Sequence, residues 1–216
     1  MKLIGMLDSP YVRRVAISLQ LLGLPFEHQS LSVFRTFAQF REINPVVKAP
    51  TLVCDDGEVL MDSTLILEYA EALARPRSLM PSDPGDLRHD LRLLGLALAA
   101  CEKAVQIVYE RNQRPGDKLH EPWVQRVSGQ LLAAFGELEG ELARRPRPTA
   151  SASLRQADVT MAVAWHFARE MVADVAPAQK FPRLAAFSEA AERLPEFRAA
   201  PYGDGTYVAL ESAARS

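Results

Sequence analysis

Cysteine is scarce: the 216 residues hold only Cys54 and Cys101, far apart and each alone. That excludes a disulfide framework, a CxxC redox pair and paired cysteine ligands for a metal. The four histidines (His28, His89, His120, His166) are scattered, so no metal site is expected. Charge of one sign is missing as well, since 25 Lys and Arg stand against 27 Asp and Glu, for a formal charge of −2. Nucleic-acid binding normally shows a basic excess, and recruitment to an anionic membrane needs a polybasic segment. Neither is present. No stretch approaches the roughly 18 apolar residues of a membrane span. The opening apolar run, Leu3 to Leu7, stops at Asp8, too short for a secretory signal core. A reducing, cytoplasmic setting is the expectation.

What is present is ordinary globular material, 48% hydrophobic and 24% charged, enough for a real core. The pattern changes partway along the chain. Residues 2–7 read as a strand. After Ser9-Pro10, Val12, Val15, Leu19 and Leu22 recur at spacings of 3, 4 and 3, which predicts a helix ended by Gly23. A second strand fits 26–31, and a short helix fits 36–43, stopped by Asn44-Pro45. Two strands, Thr51–Cys54 and Glu58–Met61, flank Asp55-Asp56-Gly57 as a hairpin. Asp62-Ser63 then opens a helix whose apolar stripe is Leu65, Ile66, Tyr69 and Leu73. The order β-α-β-α-β-β-α predicts an α/β layer.

Residues 75–84 carry three prolines and no periodicity, and read as a linker. Beyond it everything is helical. Leu87, Leu91, Leu94, Leu98, Cys101, Val105 and Val108 predict one long helix with a heptad-like seam, ended by Pro115-Gly116. Val124, Val127, Leu131, Ala134, Leu138 and Leu142 predict a second, packed antiparallel to the first across a short connection. A third, buried helix fits 157–172 and a fourth fits 182–194, with 203–216 as a loosely packed tail. The domains are therefore 1–78, a linker at 79–85, and 86–216.

Three short motifs carry chemistry. Ser9-Pro10 stands where a strand meets a helix, and either caps that helix or sets a hydroxyl and a helix N-terminus beside a sulfur. A helix end is worth ~0.3–1 kcal/mol, rising to ~2 when partly buried, and a hydrogen bond to a charged acceptor roughly 1.5–3 kcal/mol. At about 1.4 kcal/mol per pH unit, the two lower a thiol's pKa by about 1 to 3. Asp8 would oppose this if it pointed inward, so it is expected to face solvent. The second motif is Asn44-Pro45-Val46-Val47-Lys48-Ala49-Pro50-Thr51-Leu52. A proline just before a strand leaves the backbone of Ala49 unpaired, open to an extended peptide as if to an added strand. Lys48 can supply a cation for that peptide's carboxylate. The third is Asp62-Ser63 at a helix start, where N–H groups and the Ser63 hydroxyl suit a carboxylate and Asp62 an ammonium. No Glu or Gln follows either residue at three positions, so no capping box uses the donors. A small peptide with one thiol, two carboxylates and one amine fits all three, and glutathione has those groups.

In this order and spacing, Ser9-Pro10-Tyr11-Val12-Arg13-Arg14-Val15, NPVVKAPTL and Asp62-Ser63 with Ile66 resemble the bacterial members of the cytosolic glutathione transferase family. The resemblance covers nearly the whole chain. It implies a thioredoxin-like α/β N-terminal domain and an all-α helical-bundle C-terminal domain. Glutathione would be the co-substrate, held by Ser9, Lys48, Ala49, a cis Pro50, Asp62 and Ser63, with Ser9 activating the thiol. It also implies a two-fold homodimer and an open hydrophobic site between the domains for a small electrophile. By position, Tyr11, Tyr109 and Trp165 are candidates to line that site. Relatives with cysteine at the first motif act as reductases. This chain has Ser9 there, and Cys54 and Cys101 are read as buried structural residues, as is His166 on the third helix of the second domain.

One departure stands out. The family usually has Ser or Thr three residues before the Asp that begins this buried helix, but Asp158 is preceded there by Arg155. A lost cap is worth about 0.5–2 kcal/mol if nothing replaces it. Two other functions fit the same motifs: a non-catalytic binding or regulatory module, and an isomerase or dehalogenase using glutathione without consuming it. Intact Ser9, Lys48, Asp62 and Ser63 argue against the module.

Overall fold

The computed structural model describes residues 1–209. Its tertiary contacts divide them into two units: Met1–Leu79 together with the described residues from Arg193 onward, and Met80–Glu192. The expected tail, 203–216, lies partly outside the described residues.

The first unit holds β1 (Lys2–Ile4), α1 (Pro10–Leu21), β2 (Glu27–Gln29), α2 (Phe37–Ile43), β3 (Thr51–Val53), β4 (Val59–Met61) and α3 (Ser63–Ala74). The strand order is β2-β1-β3-β4. β1 runs parallel to β2 and antiparallel to β3, with Leu3 opposite both His28 and Leu52. Crossover through α1 forces the parallel pair, and the Asp55–Gly57 turn forces the antiparallel pair β3-β4. This is the thioredoxin-like arrangement.

β1 is shorter than residues 2–7, and its end has a cause. Gly5 has φ 135°, a backbone conformation side chains rarely adopt, and it turns the chain out of the sheet toward Ser9. α1 ends as predicted: Gly23 has φ 73°, its N–H bonds Gln20 O, and Leu24 N–H reaches back to Leu19 O. That double bond is the Schellman arrangement. Phe40 of α2 packs with Ile4 and Leu31 under the sheet, and Val47 and Ala49 lean on the same core.

The expected apolar stripe of α3 is corrected. Ile66, Leu67 and Ala70 face the core, whereas Leu65, Tyr69 and Leu73 are 58%, 37% and 46% exposed.

The second unit is all helical: α4 (Pro84–Asn112), α5 (Glu121–Arg144), α6 (Gln156–Met171) and α7 (Pro182–Glu192). α4 and α5 are antiparallel, because Arg92 near the start of α4 pairs with Glu137 late in α5, while Glu110 at the other end accepts the His120 N–H ahead of α5. The α5 stripe is buried as read. On α4 the buried face is instead Leu93, Leu94, Ala97, Ala100, Cys101, Ala104 and Ile107, with Leu91 outside. Small alanines on that face let α4 come close to α5 and α6, and this outweighs the larger leucines of the predicted seam.

α6 starts on a replaced cap. Arginine has no acceptor, so Arg155 cannot cap with its side chain. The reciprocal half remains: Asp158 Oδ2 accepts the Arg155 N–H at 2.9 Å. Arg147 then grips Asp158 (Nε to Oδ1 2.6 Å, Nη2 to Oδ2 3.0 Å) and also donates to Asp90 at 3.0 Å. Asp158 and Asp90 are almost fully buried. Burial opposes charge on Arg147, but the two carboxylates prevail and raise its pKa above the usual arginine range.

The helix expected over 182–194 stops at Glu192, and Pro195 starts a separate α8 (Pro195–Ala199). α8 belongs to the first unit, held to α1 by Arg13, whose Nε donates to Ala200 O at 2.8 Å and whose guanidinium lies over the Phe197 ring. Nor is the described part of the tail loose. Tyr207 stacks on Phe26 at 4.4 Å and donates its N–H to His28 Nδ1 at 3.0 Å; Ser30 Oγ donates to Asp204 O at 2.8 Å. The segment is fastened along β2, the edge strand of the sheet.

Candidate active site

Ser9 is the N-cap of α1, and its Oγ accepts the Val12 N–H at a long 3.4 Å. Pro10 fills the first helical position, where a missing N–H is harmless. Used as an acceptor, the hydroxyl keeps its one proton available to donate. Asp8 is half-buried rather than turned fully to solvent, which corrects the expectation. Burial raises its pKa, against the Ser9 N–H and the Arg35 charge that lower it.

The proline loop is built by Asn44, which is 3% exposed. Its Oδ1 accepts the Val46 N–H at 3.0 Å, and its Nδ2 donates to Thr51 Oγ1 at 2.8 Å. Thr51 Oγ1 in turn donates to Lys48 O at 2.7 Å. Such a chain of bonds polarises along its length and pins Lys48 and Ala49. The Ala49–Pro50 bond is cis. The β1-β3 ladder begins at Thr51, so the backbone of Ala49 stands beyond it. Val47 has φ 52°, a strained value for a β-branched residue. Packing of its side chain against the Ile4–Phe40 core holds it there.

Asp62 has φ 71°, a second strained position, and caps α3 by accepting the Thr64 N–H at 2.9 Å. One of the donors expected to stay open is therefore taken. Ser63 is 2% exposed, and its Oγ accepts from Arg14 Nη1 at 3.0 Å. One backbone outlier thus adjoins Lys48 and the other is Asp62 itself, as strain often falls at functional sites.

The elements that carry the three motifs meet. Lys48 Nζ lies 3.5 Å from Asp62 Oδ2, joining the second to the third. Arg14 of α1 joins the first helix to the third motif. A side chain at Gly5 would strike Val12 at 2.6 Å and Ala49 at 3.1 Å, so the capped turn of α1 and the proline loop both abut Gly5. The result is a hydroxyl at a helix start, a free backbone edge, and a cation-carboxylate pair at a second helix start.

The hydrophobic candidates separate. Tyr11 is half-buried on α1, in the first unit, and Tyr109 is 45% exposed on α4, in the second. Trp165 is corrected to core: it is 3% exposed and packs edge-on against Phe135 and Phe181 at 5.1 and 5.6 Å. Cys101 is fully buried. Cys54 is buried just past β3, and burial raises its thiol pKa. His166 is half-buried, with Nδ1 3.4 Å from Glu192. Among the described residues no group of side chains could hold a metal ion, and no helix is long and apolar enough to cross a membrane.

Sequence reasoning missed Arg13, Arg14 and Asn44 as buried organisers. Two adjacent arginines inside an apolar helix were the available signal, since buried guanidinium groups require partners.

Comparison with known proteins agrees with this fold. Residues 3–78 match the model of the glutathione S-transferase N-terminal domain, and residues 121–190 that of the glutathione S-transferase C-terminal domain. A solved glutathione S-transferase from Methylobacterium radiotolerans, in complex with glutathione sulfonate, superposes with a TM-score of 0.84 at 26% identity, covering 94% of this chain and 95% of that one. An uncharacterized GST-like protein, YibF, of Escherichia coli is 28% identical over 76% of this chain and 81% of its own. Maleylacetoacetate isomerase of Pseudomonas aeruginosa is 30% identical over 65% of this chain and 70% of its own. With both domains matched in order, the chain belongs to the cytosolic glutathione S-transferase family.

Proposed function

We propose that this protein is a glutathione transferase that binds glutathione at the first unit and delivers its thiolate to a small hydrophobic electrophile. The observation that carries the reading is Ser9: its hydroxyl caps α1 loosely and retains a proton to donate toward a sulfur at the helix start. Lys48 and Asp62 take the peptide's carboxylate and ammonium, Ala49 its backbone, and Ser63 its second carboxylate. Tyr11 and Tyr109 are the remaining candidates for the electrophile. The setting is cytoplasmic.

A homodimer belongs to the same proposal. Leu65, Tyr69 and Leu73 recur every four residues on the outer side of α3, with Met61 of β4 also exposed. Apolar residues in a row on one face favour contact with another surface.

Ser9→Ala tests the reading. Glutathione binding should persist, while the pKa of the bound thiol rises by about one unit or more, read from thiolate ultraviolet absorbance across pH. An unchanged profile would leave Ser9 as a helix cap only.

Similarity to maleylacetoacetate isomerase favours a second reading, in which glutathione adds to a double bond and is later expelled. Stoichiometry separates the two: glutathione is consumed by conjugation and conserved by isomerisation.

A further inference from the structure

Arg14 is 1% exposed, a cation inside α1, and it points its Nη1 at Ser63 Oγ from 3.0 Å and at Thr64 Oγ1 from 3.5 Å. Guanidinium carries donors only. The direction of the shorter bond is therefore fixed, and Ser63 Oγ must accept. Its single proton is left to point away from Arg14. Ser63 is also the first residue of α3, so the residue four positions back lies in β4 and offers no carbonyl of the helix to receive that proton. An isolated serine hydroxyl rotates to suit its surroundings; this one has its acceptor side fixed by Arg14.

We propose that Arg14 is a positioning residue for the peptide substrate. It orients the Ser63 O–H as a donor to the α-carboxylate of the γ-glutamyl group, and it adds a full positive charge behind the α3 N-terminus. The inference rests on the glutathione reading above and extends it to a residue that does not touch the ligand. Charge on the guanidinium polarises the Ser63 O–H bond, which strengthens the outward hydrogen bond. Because Arg14 is buried, salt screens its field weakly. Lysine would keep the charge but lose the planar guanidinium that aims Nη1 at the two hydroxyls.

The test is a cycle of Arg14→Lys, Ser63→Ala and the double variant, titrated with glutathione and with its analogue lacking the γ-glutamyl α-carboxylate. A hydrogen bond to a charged group is worth a factor of about 10 to 100 in affinity, and Ser63→Ala should weaken glutathione by that much. Arg14→Lys should weaken glutathione by about tenfold, raise KM more than it lowers kcat, and scarcely change binding of the analogue. In the Ser63→Ala background, Arg14→Lys should add little, because both changes remove one coupled interaction. Equal losses for glutathione and analogue, or losses that multiply independently, would overturn the inference. Wild-type protein that binds no glutathione would instead overturn the functional reading beneath it. Should Arg14→Lys not fold, a neutron map of the wild type decides: a Ser63 deuteron turned to the open side supports the inference, and one donated to a protein acceptor refutes it.

Discussion

Asn44 sits between the end of a helix and the start of a strand, and its amide decides where Lys48 and Ala49 stand. Nothing in the run NPVVKAPTL announces this, because its partner Thr51 becomes a partner only once β3 is paired. The same holds for Arg13 and Arg14, whose acceptors are Ala200 and Ser63, far along the chain. Ser9 and Asp62 were legible as helix caps because each accepts an N–H from a near neighbour along the chain. Gly5 offers a residue-scale prediction. Its φ of 135° and the 2.6 Å approach to Val12 leave no room for a methyl group. Gly5→Ala should destabilise the fold by about 2–4 kcal/mol, combining a disfavoured backbone with a clash. A lower denaturant midpoint with unchanged slope would record it. An unchanged midpoint would mean that β1 and the Ala49 loop readjust freely.

Helices and strands were readable where one face alone is apolar, as in α5, whose whole predicted stripe is buried. They were misread where two faces are apolar. On α3 and α4 periodicity names both faces alike, and packing of small residues against neighbours picks one. At the start of α6 the missing cap is offset through Asp158, which accepts the Arg155 N–H and is itself held by Arg147, eleven residues upstream. Arg147→Met should cost about 3–5 kcal/mol, since it takes the guanidinium from buried Asp158 and leaves buried Asp90 to Arg155. Urea unfolding would measure this, and a loss below 1 kcal/mol would show the network to be incidental. The segment along β2 adds a pH effect. His28 donates Nε2–H to Gly5 O at 2.7 Å and accepts the Tyr207 N–H on Nδ1, which requires the neutral ring. Burial lowers its pKa, partly offset by the Gly5 carbonyl. Below an ordinary histidine pKa of about 6.5, the unfolded chain binds a proton that the folded chain refuses. The stabilisation is therefore complete above that pH and is lost as pH falls beneath it. Melting temperature should drop more steeply between about pH 6.5 and 5 in the wild type than in His28→Asn. Parallel curves would show that His28 does not titrate in that window.

At the scale of the molecule, the α/β and all-helical halves were legible from the change in periodicity at the proline-rich stretch. The return of the chain to the first unit after Glu192 was not, because α8 spans only five residues and Tyr207 finds Phe26 through space alone. The proposed dimer is tested at this scale. Leu65→Glu with Leu73→Glu should convert a two-chain species to single chains in analytical ultracentrifugation, with secondary structure retained. A wild type that sediments as one chain at micromolar concentration would remove the dimer.

The anchoring of Arg13 to Ala200 and of His28 to Tyr207 has a practical corollary. In connectivity the helical unit is an insert, with both flanks of the chain committed to the sheet. Cutting the chain at the proline-rich stretch should not yield two autonomous pieces. A fragment ending there would keep a buried guanidinium stripped of its carbonyl acceptors and a sheet with a bare edge. Supplying residues from Arg193 onward as a separate peptide should restore it.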